Sequence, residues 1–180
     1  MSGQESGSGG KPGEGSGQGS DQGSGRFLRP AAVRECGSLT ALALRSKAYW
    51  GYDPSFIQAC RDELTIRPEH VSAGRVVVLV EEATILGLYA LLPERRPDEA
   101  EVRHFFIEPA AIGHGLGRLL WDDLVAKARS EGIKRLKIES DPFAMGFYRA
   151  MGATLAGKMR APVKGPGGAD RFLPVLYYDV

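Results

Sequence analysis

From residue 26 onward the hydrophobic period changes several times, and the changes divide the chain into elements. "RFLRPAAV" places Phe27, Leu28 and Val33 around Pro30, which predicts a short edge strand, since proline cannot donate to an inner ladder. Residues 38–50 carry Leu39, Leu42, Ala43 and aromatics at helical spacing, with Ser38 as the expected N-cap. "GYDP" breaks that helix, and Asp53 with Pro54 opens a second one through "PSFIQACRDEL". From Arg75 the pattern becomes strand-like: "RVVVLVEEA" and "TILGLYALLPE" read as adjacent antiparallel strands, and "AEVRHFFIEP" as a third. A helix to about Ser130 follows, with Leu116, Leu119, Leu120, Leu124 and Ala128 on one stripe and Gly132 as its stop. "KRLKIES" is the next strand, "PFAMGFYRAMG" a short helix from Pro142 to Gly152, and "ATLAGKMRAP" and "DRFLPVLYYDV" two last strands joined by "VKGPGGA".

The order β-α-α-β-β-β-α-β-α-β-β predicts an α/β (α+β) domain over residues 26–180, a mixed sheet with helices on its faces and no internal repeat. Residues 1–25 are about two-thirds glycine plus serine, with no aliphatic residue after Met1, the composition of a disordered tail. Across all 180 residues, 43% are hydrophobic and 25% charged, an ordinary globular balance. With 23 basic and 22 acidic residues the net charge is only +1, which argues against a nucleic-acid or membrane-surface partner. Cys36, Cys60, His70, His104 and His114 form no metal-ligand or redox spacing, so neither a metal nor a disulfide is expected. No apolar run reaches the roughly 20 residues of a membrane span, and no signal-peptide pattern opens the chain, so a cytoplasmic protein is expected.

The stretch with the most distinctive chemistry is "PAAIGHGLGRLLW". Gly113, Gly115 and Gly117 stand at alternate positions between the strand "VRHFFI" and the leucine-striped helix. Such a turn presents backbone N–H groups at the positive end of a helix dipole, a setting suited to phosphate. A nucleotide P-loop would continue Gly-Lys-Ser/Thr, whereas Gly117 is followed by Arg118 and Leu119. A dinucleotide fingerprint would need glycine where Arg118 stands and would sit in the first βα unit. Both nucleotide readings fit poorly.

The span from Ala100 to Ala153 resembles the core of the GCN5-related N-acetyltransferases (GNAT superfamily). That family's pattern is Arg or Gln, two residues, Gly, any residue, then Gly or Ala; one strand later comes a helix bearing "A..FY...G". The second part stands here as Ala144, Phe147, Tyr148 and Gly152, while Ile112 replaces the usual Arg or Gln. The resemblance implies a mostly antiparallel mixed sheet of six to seven strands with about four flanking helices. It implies acetyl-CoA as co-substrate, an amine-bearing acceptor attacked directly in a ternary complex and, at family level only, a homodimer. Coenzyme binding falls on Ile112, Gly113, His114, Gly115, Leu116, Gly117 and Arg118, with the pantetheine arm along the backbone of Phe106 and Ile107.

For the chemistry, the resemblance places the Tyr148 phenol near the CoA sulfur and Glu101, eleven positions before Ile112, where a general base stands. Glu108 and His104 are its rivals on the same strand. Tyr49, Trp50 and Tyr52, at the break between the first two helices, are expected to wall an acceptor pocket. A non-catalytic acyl-CoA sensor on the same fold is the alternative, and Ile112 is the residue that leaves room for it.

Overall fold

The computed structural model describes residues 25–180; the glycine- and serine-rich stretch read above as a tail lies, but for Gly25, outside them. The strands are β1 (Arg26–Pro30), β2 (Val76–Glu81), β3 (Thr84–Pro93), β4 (Glu99–Ile107), β5 (Arg135–Glu139), β6 (Thr154–Arg160) and β7 (Phe172–Asp179). They form one seven-stranded sheet in the order β1-β2-β3-β4-β5-β7-β6. Every adjacent pair is antiparallel except β4 with β5. This is the mixed sheet that the element order predicts and, being mostly antiparallel, the one that the resemblance implies; β1, with Pro30, lies at its edge.

The helices are α1 (Cys36–Ala48), α2 (Pro54–Ala59), α3 (Arg61–Leu64), α4 (Pro68–Ser72), α5 (Leu116–Ser130) and α6 (Met145–Ala150). Two of them are long and four are short. The helix expected with Ser38 as its N-cap begins three residues earlier, at Cys36 with Glu35 as N-cap. Glu35 organises its start: the carboxylate accepts from the Ala32 N–H at 2.7 Å and holds the Arg29 guanidinium at 2.7 and 2.9 Å. The Ser38 hydroxyl instead donates to the Glu35 carbonyl. Asp53 caps α2 as expected, accepting from the Ser55 N–H. The segment read as a single second helix is divided at Cys60, and α4 after Arg67 was not foreseen. Its Pro68 is a helix-start signal that reads equally as a loop.

α5 covers β3 and β4 on one face of the sheet, burying Leu116, Leu120, Leu124 and Ala128 with Tyr89, Leu91 and Val102. Complete burial of a leucine such as Leu120 or Leu124 is worth about 1.5–3 kcal/mol. Leu119, expected on this stripe, is 41% exposed: it falls beside the stripe, not on it. Gly132 ends the helix at φ +77°. The opposite face packs α1 and α4 on β2 and β3 through Leu39, Leu42, Val71, Val78 and Leu88.

One irregularity in β4 matters for the site. Ala90 of β3 lies opposite His104 and Leu91 opposite Val102, so Arg103 is an extra, unpaired residue. The bulge shifts the alternation by one: Val102 and Phe105, three apart, both pack against the α5 face, while His104 is buried beneath the other face. Among the described residues no helix is long and apolar enough to cross a membrane, and no group of three or more His, Cys, Asp or Glu side chains is placed to hold a metal ion.

Candidate active site

β4 and β5 are hydrogen-bonded only where Glu99–Glu101 meets Arg135–Lys137. Past Glu101, β4 stays with β3 on its other side and β5 stays with β7, so the two parallel strands part. A cleft of about 520 Å³ opens there. Its walls include Glu101, Arg103, Phe105, Phe106 and Ile107 from β4, and Glu139, Ser140 and Asp141 from the end of β5. The strand edge left without a partner offers backbone N–H and C=O groups that any extended ligand can use.

The glycine turn closes one end of this cleft. Gly113 at φ +89° and Gly115 at φ +78° both occupy the left-handed region, where a side chain would be strained. Gly115 is the N-cap of α5 and has no side chain to cap it, so within the described residues the N–H groups of Leu116 and Gly117 have no partner. Gly117 serves another purpose. A Cβ there would stand 3.1 Å from the Phe147 ring, so the third glycine admits an aromatic from α6 against the first turn of α5.

The expected coenzyme contacts fall into two groups. Phe106, Ile107, Ile112, Gly113, Gly115, Gly117 and Arg118 line the cleft. His114 is exposed and Leu116 is in the core, and the side chains of neither line it.

Tyr148 lines the cleft from α6 and is only 6% exposed. Its ring is fixed edge-on against Trp121 and Phe147, at 5.8 and 5.2 Å between centroids. Burial, reinforced by the charge of Asp141, pushes its phenol well above the usual range, so it stays protonated near neutral pH. Glu101 also lines the cleft. Burial raises its carboxyl, Arg103 at 3.4 Å opposes the rise, Glu139 adds to it, and the net direction is upward.

Its two rivals lie elsewhere. His104 is 3% exposed, is not in the cleft, and is pushed down to about 3 by burial, with the charges of Arg103 and His70 adding to the effect. Glu108 is held by both of its oxygens on Arg45, at 3.0 and 2.7 Å, and ties α1 to the end of β4. Of the three aromatic wall candidates, Trp50 alone lines the cleft, stacked on Phe143 at 5.6 Å with the rings 1° from parallel. Tyr49 is 52% exposed and leans edge-on against Trp50. Tyr52 stands behind the wall, its hydroxyl 3.0 Å from each oxygen of Asp141.

A family model for the acetyltransferase (GNAT) family matches residues 42–153. The chain belongs to this family. The PaiA N-acetyltransferase of Thermoplasma acidophilum, solved in complex with coenzyme A, has the same fold: the TM-score is 0.67 at 14% identity, over 86% of this GNAT chain and 99% of that one. Two curated relatives match over shorter stretches. Serotonin N-acetyltransferase 2 of Oryza sativa subsp. japonica is 39% identical over 46 residues, 26% of this chain and 23% of its own length. IAA acetyltransferase of Azospirillum brasilense is 29% identical over 94 residues, 52% of this chain and 58% of its own. The GNAT chain thus covers less than two thirds of either relative.

One group in this GNAT cleft was missed in the sequence. Asp141 binds Lys47 at 2.8 Å and Arg171 at 3.3 Å, and accepts from the Phe143 N–H at 3.0 Å. Lys47 also lies over the rings of Tyr52 and Phe56, and Arg171 over Phe56. The aspartate-proline step at 141–142 repeats the helix-start signal of Asp53-Pro54, so the cap itself was legible. Its cationic partners lie 94 and 30 residues away, and no local pattern points to them.

Proposed function

We propose that this chain transfers an acetyl group from acetyl-CoA to a primary amine, on a small molecule or an exposed protein amine, by direct attack in a ternary complex. The observation that carries the reading is the parting of β4 and β5 beside the glycine turn. It joins a bare strand edge, a set of free helix N-terminal amides and the Tyr148 phenol in one cleft. In this reading the turn takes the pyrophosphate on its backbone, since Ile112 brings no charge to it. The pantetheine amides pair with β4 at Phe106 and Ile107, and the thioester reaches the bulge at Arg103.

The acceptor arrives as an ammonium and must lose a proton before it can attack. Glu101 takes that proton, directly or through water. The amine nitrogen then bonds to the thioester carbon, the carbonyl electrons move onto oxygen, and a backbone N–H of β4 stabilises the oxyanion. Collapse restores the carbonyl and breaks the carbon–sulfur bond; Tyr148 gives its proton to the departing thiolate and regains one, through water, from the nitrogen, which sheds its second proton as it becomes the amide. A second reading, an acyl-CoA sensor that does no chemistry, draws on the apolar Ile112 at the phosphate end.

The experiment is thiol release from acetyl-CoA against a panel of amines, followed over pH. Release that requires both acetyl-CoA and an amine is expected, whereas tight binding with no release on any amine favours the sensor. Because the Glu101 carboxyl is raised, its basic form is present only above a pKa higher than the ordinary 4.5. The rate kcat/KM is therefore expected to fall as pH drops through that raised value. Glu101→Gln is expected to remove this acid limb and lower kcat by about 100-fold. An unchanged limb in the variant excludes Glu101 as the base.

A further inference from the structure

The acceptor half of the cleft carries a charge pattern that acetyl transfer alone does not require. Lys47 from α1 and Arg171, just before β7, both line it with side chains only 10% and 11% exposed. Among the described residues one carboxylate, Asp141, stands within ion-pair distance of either, and it already accepts from Tyr52 and Phe143. Two nearly dry cations therefore share one engaged anion, and a buried cation without its own counter-charge is costly. Glu63 lines the same cleft, and its Oε1 is buried with no hydrogen-bond partner, yet it pairs with neither cation. The cleft thus offers a cation pair short of an anion and a carboxylate oxygen short of a donor. A ligand carrying both signs satisfies the two together. A polyamine, which carries only positive charge, meets Lys47 and Arg171 with repulsion.

We propose that the acceptor is an amine that also bears a carboxylate, an amino acid or similar zwitterion, whose carboxylate sits on Arg171 and Lys47. The inference rests on the acetyl-transfer reading and names its substrate class. Arg171 is the better reader of the pair, because its planar fork can donate two parallel hydrogen bonds to a carboxylate while Lys47 supplies a point charge. The stacked Trp50 and Phe143 line the same cleft and suit an acceptor whose remaining side chain is apolar.

The test uses acceptor pairs that differ only in the carboxylate: phenylalanine against phenethylamine, and leucine against 3-methylbutylamine, with a linear triamine as the cationic control. The amino acid of each pair is expected to show kcat/KM about tenfold to 100-fold above its decarboxylated partner, the range of a hydrogen bond to a charged group. That ratio is expected to fall toward one in Arg171→Met through KM and to recover in part in Arg171→Lys, with thermal melts confirming that both variants are folded. Preference for the decarboxylated amines or the triamine overturns the inference and leaves acetyl transfer standing. So does an unchanged ratio in a folded Arg171→Met. Absence of thiol release on every acceptor overturns both.

Discussion

Replacing Tyr148 with phenylalanine is expected to lower kcat by about 100-fold or more, the usual contribution of a positioned general acid. The stabilisation of the protein by acetyl-CoA is expected to stay close to that of the wild type. The substitution removes one oxygen and leaves the ring, whose edge-on contacts with Phe105 of β4 and Trp121 of α5 hold α6 in place. Burial and the charge of Asp141 favour the neutral phenol, so near pH 7 the group has a proton to give to the thiolate. Thiol release under saturating acetyl-CoA, beside a thermal shift titration, separates chemistry from binding. Full turnover in the variant would show that the thiolate leaves without this proton.

The largest effect on stability is expected at Asp141. Asp141→Ala leaves Lys47 and Arg171 facing each other without an anion and removes the acceptor for the Phe143 N–H. Breaking a buried pair from one side costs about 3–5 kcal/mol. At about 2–4 °C per kcal/mol for a domain of this size, the melting temperature should fall by roughly 10 °C. The same cluster gives a pH signature. Burial alone would raise the Asp141 carboxyl, but Lys47, the Phe143 N–H and the Tyr52 hydroxyl outweigh it and hold the group below its ordinary 3.8. Its contribution to stability is therefore complete above about pH 4 and is lost as pH falls through the lower folded-state value. Denaturation followed between pH 6 and pH 2 on the order of one unit at a time should show this loss in the wild type and not in Asp141→Asn. Equal acid sensitivity in the two would place the stabilisation elsewhere.

These two residues also mark what a single sequence can and cannot disclose. The place of Tyr148 in the cleft was legible through the family resemblance, whose pattern stands at Ala144, Phe147 and Gly152 at fixed spacing after the glycine turn. The order of strands and helices along the chain followed from periodicity and from turn residues, both local properties, whereas the insertion of β7 between β5 and β6 in the sheet did not. Asp141 was invisible as an electrostatic centre, since its partners come from α1 and from the approach to β7. Likewise, nothing local distinguishes Gly117, which yields space to Phe147, from Gly113 and Gly115, which supply backbone conformations. Glu101, His104 and Glu108 were weighed as bases on one run read as a strand, with Glu101 set apart only by what the resemblance implies. The bulge at Arg103 separates them by turning His104 under the sheet, while Glu101 stays at the point where β4 and β5 part. Leu119, one position from Leu120, shows the same limit within a helix: a stripe drawn from spacing does not resolve its own edge.

Thermal unfolding of the full chain across increasing acetyl-CoA, with ATP and NAD as controls, tests the central claim that this cleft is a coenzyme A site. Acetyl-CoA is expected to raise the melting temperature progressively, by the equivalent of about 2.7 kcal/mol at a hundredfold excess over its dissociation constant, while ATP and NAD have little effect. No shift with acetyl-CoA, or a larger one with either nucleotide, would contradict the account.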